Sequence, residues 1–585
     1  IKLMQNIENV RHSLSHLLAA AVLKKFPKAK FGIGPVIENG FYYDFELPRQ
    51  ITNEDLKKLE SEMRKFIKES LAFSQKKISI AEAKKLFKDQ PYKLELIKDL
   101  SKTEKTVSIY KTAGVFTDLC KGGHVKNTKE INADGFKLEK TAGAYWRGDE
   151  KNPMLTRIYG LAFATKKELD EYVTREEEAK KRDHRKLGKE LDLFIFSDIV
   201  GKGLPLLTPK GTVIRKELEK FVLEEETKRG YQHVVTPPLA KVVLYKKSGH
   251  YPYYKETMYP VMKIDDEELI LRPMTCPHHF VLYSAKPRSY KELPLRIAEI
   301  SPQFRYEKSG ELSGLTKVRM FCLADAHIFC TKKQAESEIK NVLDLIDYAN
   351  GIFGLKKGAD YRYRLSLGDR KDTKKYYKDD KEWDIAENAL RKVLKDAKAP
   401  FFEAENEAAF YGPKIDVQMK KVNGQEETAF TVQYDFVMPK RFNLTYKDSN
   451  SEDKEVVVIH RSSIGAFERT MALLIEHYAG AFPLWLAPVQ VAVLPVSDKH
   501  VPYAKTVIKT LEEHGIRTEL PEANETLGKR IRTAELMKIP LIVVVGDKEA
   551  GDKSVNVRER GKKDTQTIPL TKFAEETSKR ATERK

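Results

Sequence analysis

Cysteine is scarce: Cys120, Cys276, Cys322 and Cys330 are the four thiols in 585 residues. A disulfide-built secreted chain usually carries more, in paired patterns, so the scarcity argues against that class and for a reducing, cytoplasmic setting. Each thiol is left as a candidate metal ligand, nucleophile or core filler. No run of about 18 apolar residues occurs, which excludes a membrane-spanning helix. The longest apolar stretches, such as 540–546, have the length of buried strands. The chain begins at Ile1, and the basic-then-apolar order of a secretory signal is missing there. Internal repeats are missing too, as is low complexity outside a Lys-rich tail. Positive charge is what the sequence has in excess, +19 net. That excess fits a polyanionic partner, most simply nucleic acid, or a lysine-rich solvated surface. The length exceeds what one core fills and suggests three or four domains.

Along the chain, an apolar stripe of Val10, Leu14, Leu17, Leu18 and Ala21 predicts a helix over 8–26, with His12 and His16 together on another face. Thr52 and Asp55 form a capping box ahead of a helix carrying Leu56, Leu59, Met63, Phe66 and Ile67. The Gly-rich, aromatic stretch 31–45 between them reads as a hairpin. A charged run over 166–190 reads as a connecting helix and takes the first boundary, giving domains 1–183, 184–486 and 487–585. Helices are expected over 212–229 and 463–478. After Pro488 strands 489–496, 516–520 and 541–545 alternate with helices 503–514 and 525–538, a compact α/β module.

Three separate segments offer metal-ligand side chains beside short strands: Cys276 in LRPMTCPHH, His327 in DAHIFC and His460 in VVVIHRSS. One Cys and two His suit Zn²⁺ with a position left for substrate. A lone buried Cys or His is more often plain core, and Cys330 and His279 are equally available by residue type. Arg305, Arg319 and Arg469 punctuate the same region; a guanidinium binds phosphate as a bidentate fork, and each is as readily a surface salt-bridge partner. Near the N-terminus, HxxxH (His12, His16) and CxxxH (Cys120, His124) read either as a second zinc site or as a helix-face pair plus a core cysteine.

The helix and strand ending at Pro237 resemble motif 1 of the class II aminoacyl-tRNA synthetases. RIAEISPQFRYEKSGELSGLTKVRMF (296–321) resembles motif 2 and GAFERTMALLIEH (465–477) motif 3, in the expected order. With SGHYPYYKETM, LRPMTCPHH, DAHIFC, YGPKIDVQ, TVQYDF and VIHR, nearly the whole chain is similar to the threonyl-tRNA synthetases. The resemblance implies a multidomain α+β and α/β protein: an antiparallel-sheet catalytic domain, an α+β editing domain and an α/β anticodon-binding domain. It implies threonine activation with ATP and Mg²⁺, transfer to tRNA(Thr), and a homodimer through motif 1. Cys276, His327 and His460 match the ligands of one zinc ion, which takes the amino and hydroxyl groups of threonine. Arg305 matches the α-phosphate arginine and Arg469 the γ-phosphate arginine. Glu307 matches the adenine side, with Arg319 and Met274 also carried over as substrate or ATP positions. Asp325, Tyr411, Gln433 and His250 match positions around threonine and the tRNA 3′ end. His12, His16, Asp118, Cys120 and His124 match an editing site that hydrolyses the serine ester, with no metal expected. Asn524, Arg532, Glu549 and Arg558 match anticodon contacts, while Lys529 and Arg530 suit phosphates.

The sequence departs from that pattern at Leu323, Ala466, Lys317 and His278, and it does not include the ubiquitin-like first domain common in the family, which activation should not need. A non-catalytic paralogue would usually lose the motif arginines or the ligands, and both sets are present. A serine or proline enzyme is disfavoured by the Cys/His trio and by the N-terminal His/Cys motifs.

Overall fold

The computed structural model describes every residue except Ile1, Ala523, Asn524 and Lys585, and for residues 2–6 the backbone alone. The chain divides into two compact units, Ile1–Glu176 and Glu177–Lys585. The break falls inside the charged helix Lys166–Arg182, which stops at Asp183; the side chain of Asp183 caps the next helix, His184–Glu190. The single connecting helix expected over 166–190 is therefore two.

In the first unit the helix Lys2–Lys25 starts six residues before the expected position and buries Leu14, Leu17 and Leu18 against Phe41, Phe45 and Ile158 of an antiparallel sheet. The expected hairpin is there: Lys30–Phe31 and Val36–Ile37 both pair with Gly40–Glu46. The Thr52–Asp55 capping box forms as read, and Leu56, Leu59, Met63, Phe66 and Ile67 are all buried. Such a cap is worth about 1 kcal/mol and sets where the helix begins. A second sheet, Phe73–Ser79, Thr106–Thr112 and Phe116–Leu119, leads into the loop that carries Cys120 and His124.

The second unit is built on an eight-stranded sheet in the order Gln232–His233, Leu295–Phe304, Met320–Cys330, Val457–Ala466, Glu426–Asp435, Lys414–Lys420, Tyr361–Ser366, Phe401–Ala404. Every pairing is antiparallel except the two outermost. Helices such as Pro209–Lys228, Ala335–Ile352 and Phe467–His477 share its core. The helix expected over 463–478 begins at Phe467, because residues 463–466 still belong to the strand Val457–Ala466. From Val491 onward a separate core packs on a five-stranded sheet. Its strands Thr518–Glu519, Val491–Pro495 and Leu541–Val545 are parallel, as βα alternation requires. Two antiparallel strands, Ser554–Glu559 and Thr565–Pro569, extend it beyond the elements read from sequence.

Candidate functional site

Register builds the site. His327 stands directly opposite His460, and His460 directly opposite Gln433, on three adjacent central strands. Side chains alternate faces along a strand, so this row and Asp325, two residues before His327, share one face. Cys276, the first residue of the helix Cys276–Ser284, brings its thiol to the same place. The donor atoms of Cys276, His327 and His460 lie within 4.8 Å of one another, and all three residues are buried. The other candidates separate here. Cys330 is fully buried but outside the cluster, and His279 lies behind His327 at 2.8 Å, Nδ1 to Nδ1.

Buried carboxylates orient both imidazoles. Glu299 accepts from Nε2 of His279 (3.2 Å) and is itself held by Arg272 and by Thr236. His279 then has its lone pair on Nδ1 and accepts the Nδ1–H of His327, leaving Nε2 of His327 free. His460 donates Nε2–H to Asp435 (2.8 Å), leaving Nδ1 free, and Asp435 is fixed by the backbone N–H groups of Val437 and Met438. Carboxylate–histidine pairs of this kind are the usual outer shell of a metal site. Burial keeps His327 well below its ordinary value and hence neutral, as a ligand must be. Burial, with Asp325 and Asp435 nearby, pushes the Cys276 thiol up, so its thiolate calls for an adjoining cation. One sulfur and two free imidazole nitrogens thus fit a borderline-soft divalent ion.

The trio opens into a cavity of about 720 Å³ whose lining includes Met274, Arg305, Glu307, Asp325, Tyr411, Gln433 and Arg469. Arg305 and Arg469 make no ion pair among the described residues. Arg305 donates weakly to the Pro273 carbonyl and to Gln303, both at 3.4 Å, and Arg469 to the carbonyls of Thr428 (3.0 Å) and Thr316 (3.3 Å). Burial and the charge of Arg469 lower the Arg305 guanidinium from its usual value. Two arginines without carboxylate partners, the first of them desolvated, form an anion site. Tyr411 donates to Gln433, and burial holds Asp325 above the ordinary carboxylate range. Lys317 reaches Glu307 at 3.2 Å. Arg319 and His250 lie off the cavity wall: Arg319 donates to the Glu307 carbonyl (2.9 Å), and His250, lowered by burial to about 3, stands 3.9 Å behind the Cys276 sulfur. Gln303, Glu299 and Asp435 were not singled out as site positions in the sequence, and His279 was weighed there only as an alternative ligand. Their signal is positional, since Gln303 precedes Arg305 by two residues and Asp435 follows Gln433 by two.

The first unit brings together His12, His16, Cys120 and His124, donor atoms within 4.8 Å. Cys120 Sγ is 3.5 Å from His12 Nε2 and 3.3 Å from His124 Nε2. The return of the chain from Cys120 to His124 needs Gly122 and Gly123, at φ +124° and +88°, where a side chain would be strained. Asp118 stands 3.7 Å from His16 and is gripped by two residues that sequence reasoning missed: Lys93 at 2.5 Å and the Tyr43 hydroxyl at 2.6 Å. Lys93 is only 2% exposed, and its helix Pro91–Leu100 gives no sequence sign of a site. Burial depresses His12, His16 and His124, and pushes the Cys120 thiol to about 11.

Near the C-terminus, Arg532 is exposed, Glu549 caps the Gly546 N–H, and Arg558 is paired with Glu535 at 2.8 Å. Asn524 lies outside the described residues. Lys529 is exposed and paired with Glu525. Arg530 is 3% exposed and donates to the Glu525 carbonyl, so it faces inward rather than toward a phosphate backbone, which corrects the sequence reading.

Comparison with known proteins agrees with this anatomy. Residues 259–478 match the tRNA synthetase class II core domain (G, H, P, S and T), 490–580 the anticodon binding domain, and 107–159 the threonyl and alanyl tRNA synthetase second additional domain. Sheet, cavity and match together define a class II aminoacyl-tRNA synthetase. The threonine–tRNA ligase of Geobacillus sp. (strain WCH70) is 50% identical over 97% of this chain and 87% of its own length. That of Streptococcus pneumoniae (strain P1031) is 49% identical over 97% and 87%. The chain belongs to the threonine–tRNA ligase family. Among solved structures, the RNA binding domain of threonyl-tRNA synthetase from Cryptosporidium parvum Iowa II superposes with TM-score 0.65 at 35% identity, covering 68% of this chain and 98% of that one. Prolyl-tRNA synthetase from Cryptosporidium parvum shares the fold, at TM-score 0.51 and 16% identity, over 68% of this chain and 76% of that one.

Proposed function

We propose that this chain activates L-threonine with ATP and Mg²⁺, transfers it to tRNA(Thr), and hydrolyses mischarged seryl-tRNA(Thr) in its first unit. The observation that carries the reading is that Cys276, His327 and His460 meet in the same cavity as the unpaired Arg305 and Arg469. The trio would hold one zinc ion, which supplies a Lewis acid that distinguishes an amine and a hydroxyl from the methyl of valine, an isostere that shape alone rejects weakly. Gln433, Tyr411 and Asp325 surround the amino acid, and Asp325 accepts from Gln303 at 3.3 Å. In activation the threonine carboxylate oxygen bonds to the α-phosphorus as the bond to the pyrophosphate oxygen breaks. Arg305 and Arg469 offset the charge on the triphosphate, with Glu307 on the adenine side. The ribose hydroxyl of the tRNA then takes the threonyl group, and AMP leaves.

Serine offers the same amine and hydroxyl, so its correction falls to the first unit. A Cys120 thiol near 11 is a poor nucleophile at neutral pH, which favours water positioned by His12, His16, Asp118, Cys120 and His124 over a covalent intermediate. Lys93 and Tyr43 fix Asp118 for that task. We assign 1–183 to editing, 184–486 to activation and 487–585 to the anticodon, with Arg532, Glu549, Arg558 and Asn524 as base contacts. A homodimer through the motif 1 region is supported by Val235 and Ile199, which are 97% and 98% exposed. Four free cysteines suit a reducing compartment. The test is amino-acid-dependent ATP–pyrophosphate exchange across the standard amino acids, with metal analysis of the same sample. Exchange that is strongest with threonine, at one zinc per chain, is expected; exchange favouring another amino acid would overturn the reading.

A further inference from the structure

The loop between the strands Leu295–Phe304 and Met320–Cys330 supplies Leu315, Thr316, Lys317 and Val318 to the cavity wall. It is also gripped from outside the cavity. The buried N–H of Leu315 donates to Nε2 of His184 at 3.1 Å. The other nitrogen of that ring, Nδ1, lies 2.7 Å from Glu476, which also accepts the His184 backbone N–H at 3.3 Å. Glu476 belongs to the helix Phe467–His477, the one that carries Arg469, and Arg469 donates to the carbonyl of Thr316. Neighbouring peptide groups of the loop are therefore held by a histidine from one side and an arginine from the other.

The fit is close. At Gly314, φ is +48° and a Cβ would come within 2.1 Å of His184 Nε2, so the backbone must pass bare against the imidazole. His184 is 3% exposed. Asp183, His184 and Glu476 also cluster as an ion site would. But both His184 nitrogens are already engaged, and Asp183 is occupied by Arg185 and by the cap of its own helix. A grip on the loop explains the cluster without an ion.

We propose that His184 is a positioning residue for nucleotide binding. The Glu476 carboxylate keeps the ring proton on Nδ1, so that Nε2 presents a lone pair to the Leu315 N–H and holds the loop in the shape that receives ATP. This rests on reading the cavity as the ATP site, and two readouts separate the two ideas. In the full chain without ligand, His184→Phe should raise amide hydrogen exchange in residues 315–319 about tenfold, the size expected for one lost hydrogen bond. In threonine-dependent ATP–pyrophosphate exchange the same variant should raise KM for ATP about tenfold, with KM for threonine and bound zinc unchanged. His184→Gln, which restores a carbonyl acceptor, should recover part of both effects. Should His184→Phe fold poorly, Glu476→Ala reads the same grip from a more exposed position. Parental hydrogen exchange in 315–319 for the folded variants, or equal rises in both KM values, overturns the proposal. A parent without threonine-dependent exchange overturns the pocket reading instead, and the hydrogen-exchange result still decides the grip.

Discussion

Glu299 and Asp435 decide which nitrogen of each facing imidazole is free, although neither touches the cavity centre. Cys276→Ser should lose bound zinc together with threonine-dependent ATP–pyrophosphate exchange; normal exchange with a metal-free variant would contradict the trio's role. His279→Phe keeps a ring of similar size but removes the acceptor that orients His327. It should weaken zinc binding by about 10–100-fold in chelator competition. Unchanged affinity would mean that His327 is oriented by packing alone. At this scale the sequence was partly legible. Cys276, His327 and His460 were nameable from their motifs, yet His279 and Cys330 offered the same donor chemistry. Strand register sets His327 against His460 and sends the Cys330 side chain into the core, while His279, on the helix Cys276–Ser284, lies behind His327. Register depends on pairing between strands far apart in the chain, and local spacing does not carry it. Nothing in the structure explains His278 or Leu323 in place of the family's usual residues.

Among elements, helices with strong local signals were read well. The Thr52–Asp55 cap fixes one helix start, and Gly480 follows soon after another helix end. The start at Phe467 was misplaced because the strand before it is buried on both faces and so lacks the alternation of a half-buried strand. Lys93 went unnoticed because its helix looks like any amphipathic surface helix, and its burial against Asp118 and Tyr43 is a tertiary fact. His12→Ala should leave threonylation intact while seryl-tRNA(Thr) accumulates; clearance at the parental rate would remove His12 from the editing site. Lys93→Met should show the same split, because Asp118 would lose its buried cation. The first unit should also be sensitive to acid. His12, His16 and His124 are all depressed by burial from 6.5. Below about 6.5 the unfolded chain therefore binds more protons than the folded one. Stability is full above that value and is lost as pH falls toward the folded values. The lowest thermal transition of the full chain should drop between pH 7.5 and 5.5, and a transition indifferent to pH over that span would contradict the burial of these rings.

On the scale of the molecule, the order of the three modules was legible because each has its own hydrophobic pattern, and the α/β alternation after Pro488 marks the last. The final antiparallel strands were not: Ser554–Glu559 is a short interior strand with only two valines among polar residues, and Thr565–Pro569 is the polar edge beside it. Sedimentation at micromolar concentration should show a dimer, and Val235→Asp should shift it toward monomer by placing a charge on an exposed apolar position; a monomeric parent would remove motif 1 from any interface.

The row of His327, His460 and Gln433 across neighbouring strands has a consequence for how the protein is made. Translation delivers the sulfur near the middle of this sequence and the last imidazole well into its second half. A nascent chain released before His460 has no complete chelate, however well its helices have formed. Loading of the proposed ion would therefore await the strand Val457–Ala466, and products truncated before it should be unable to hold that ion.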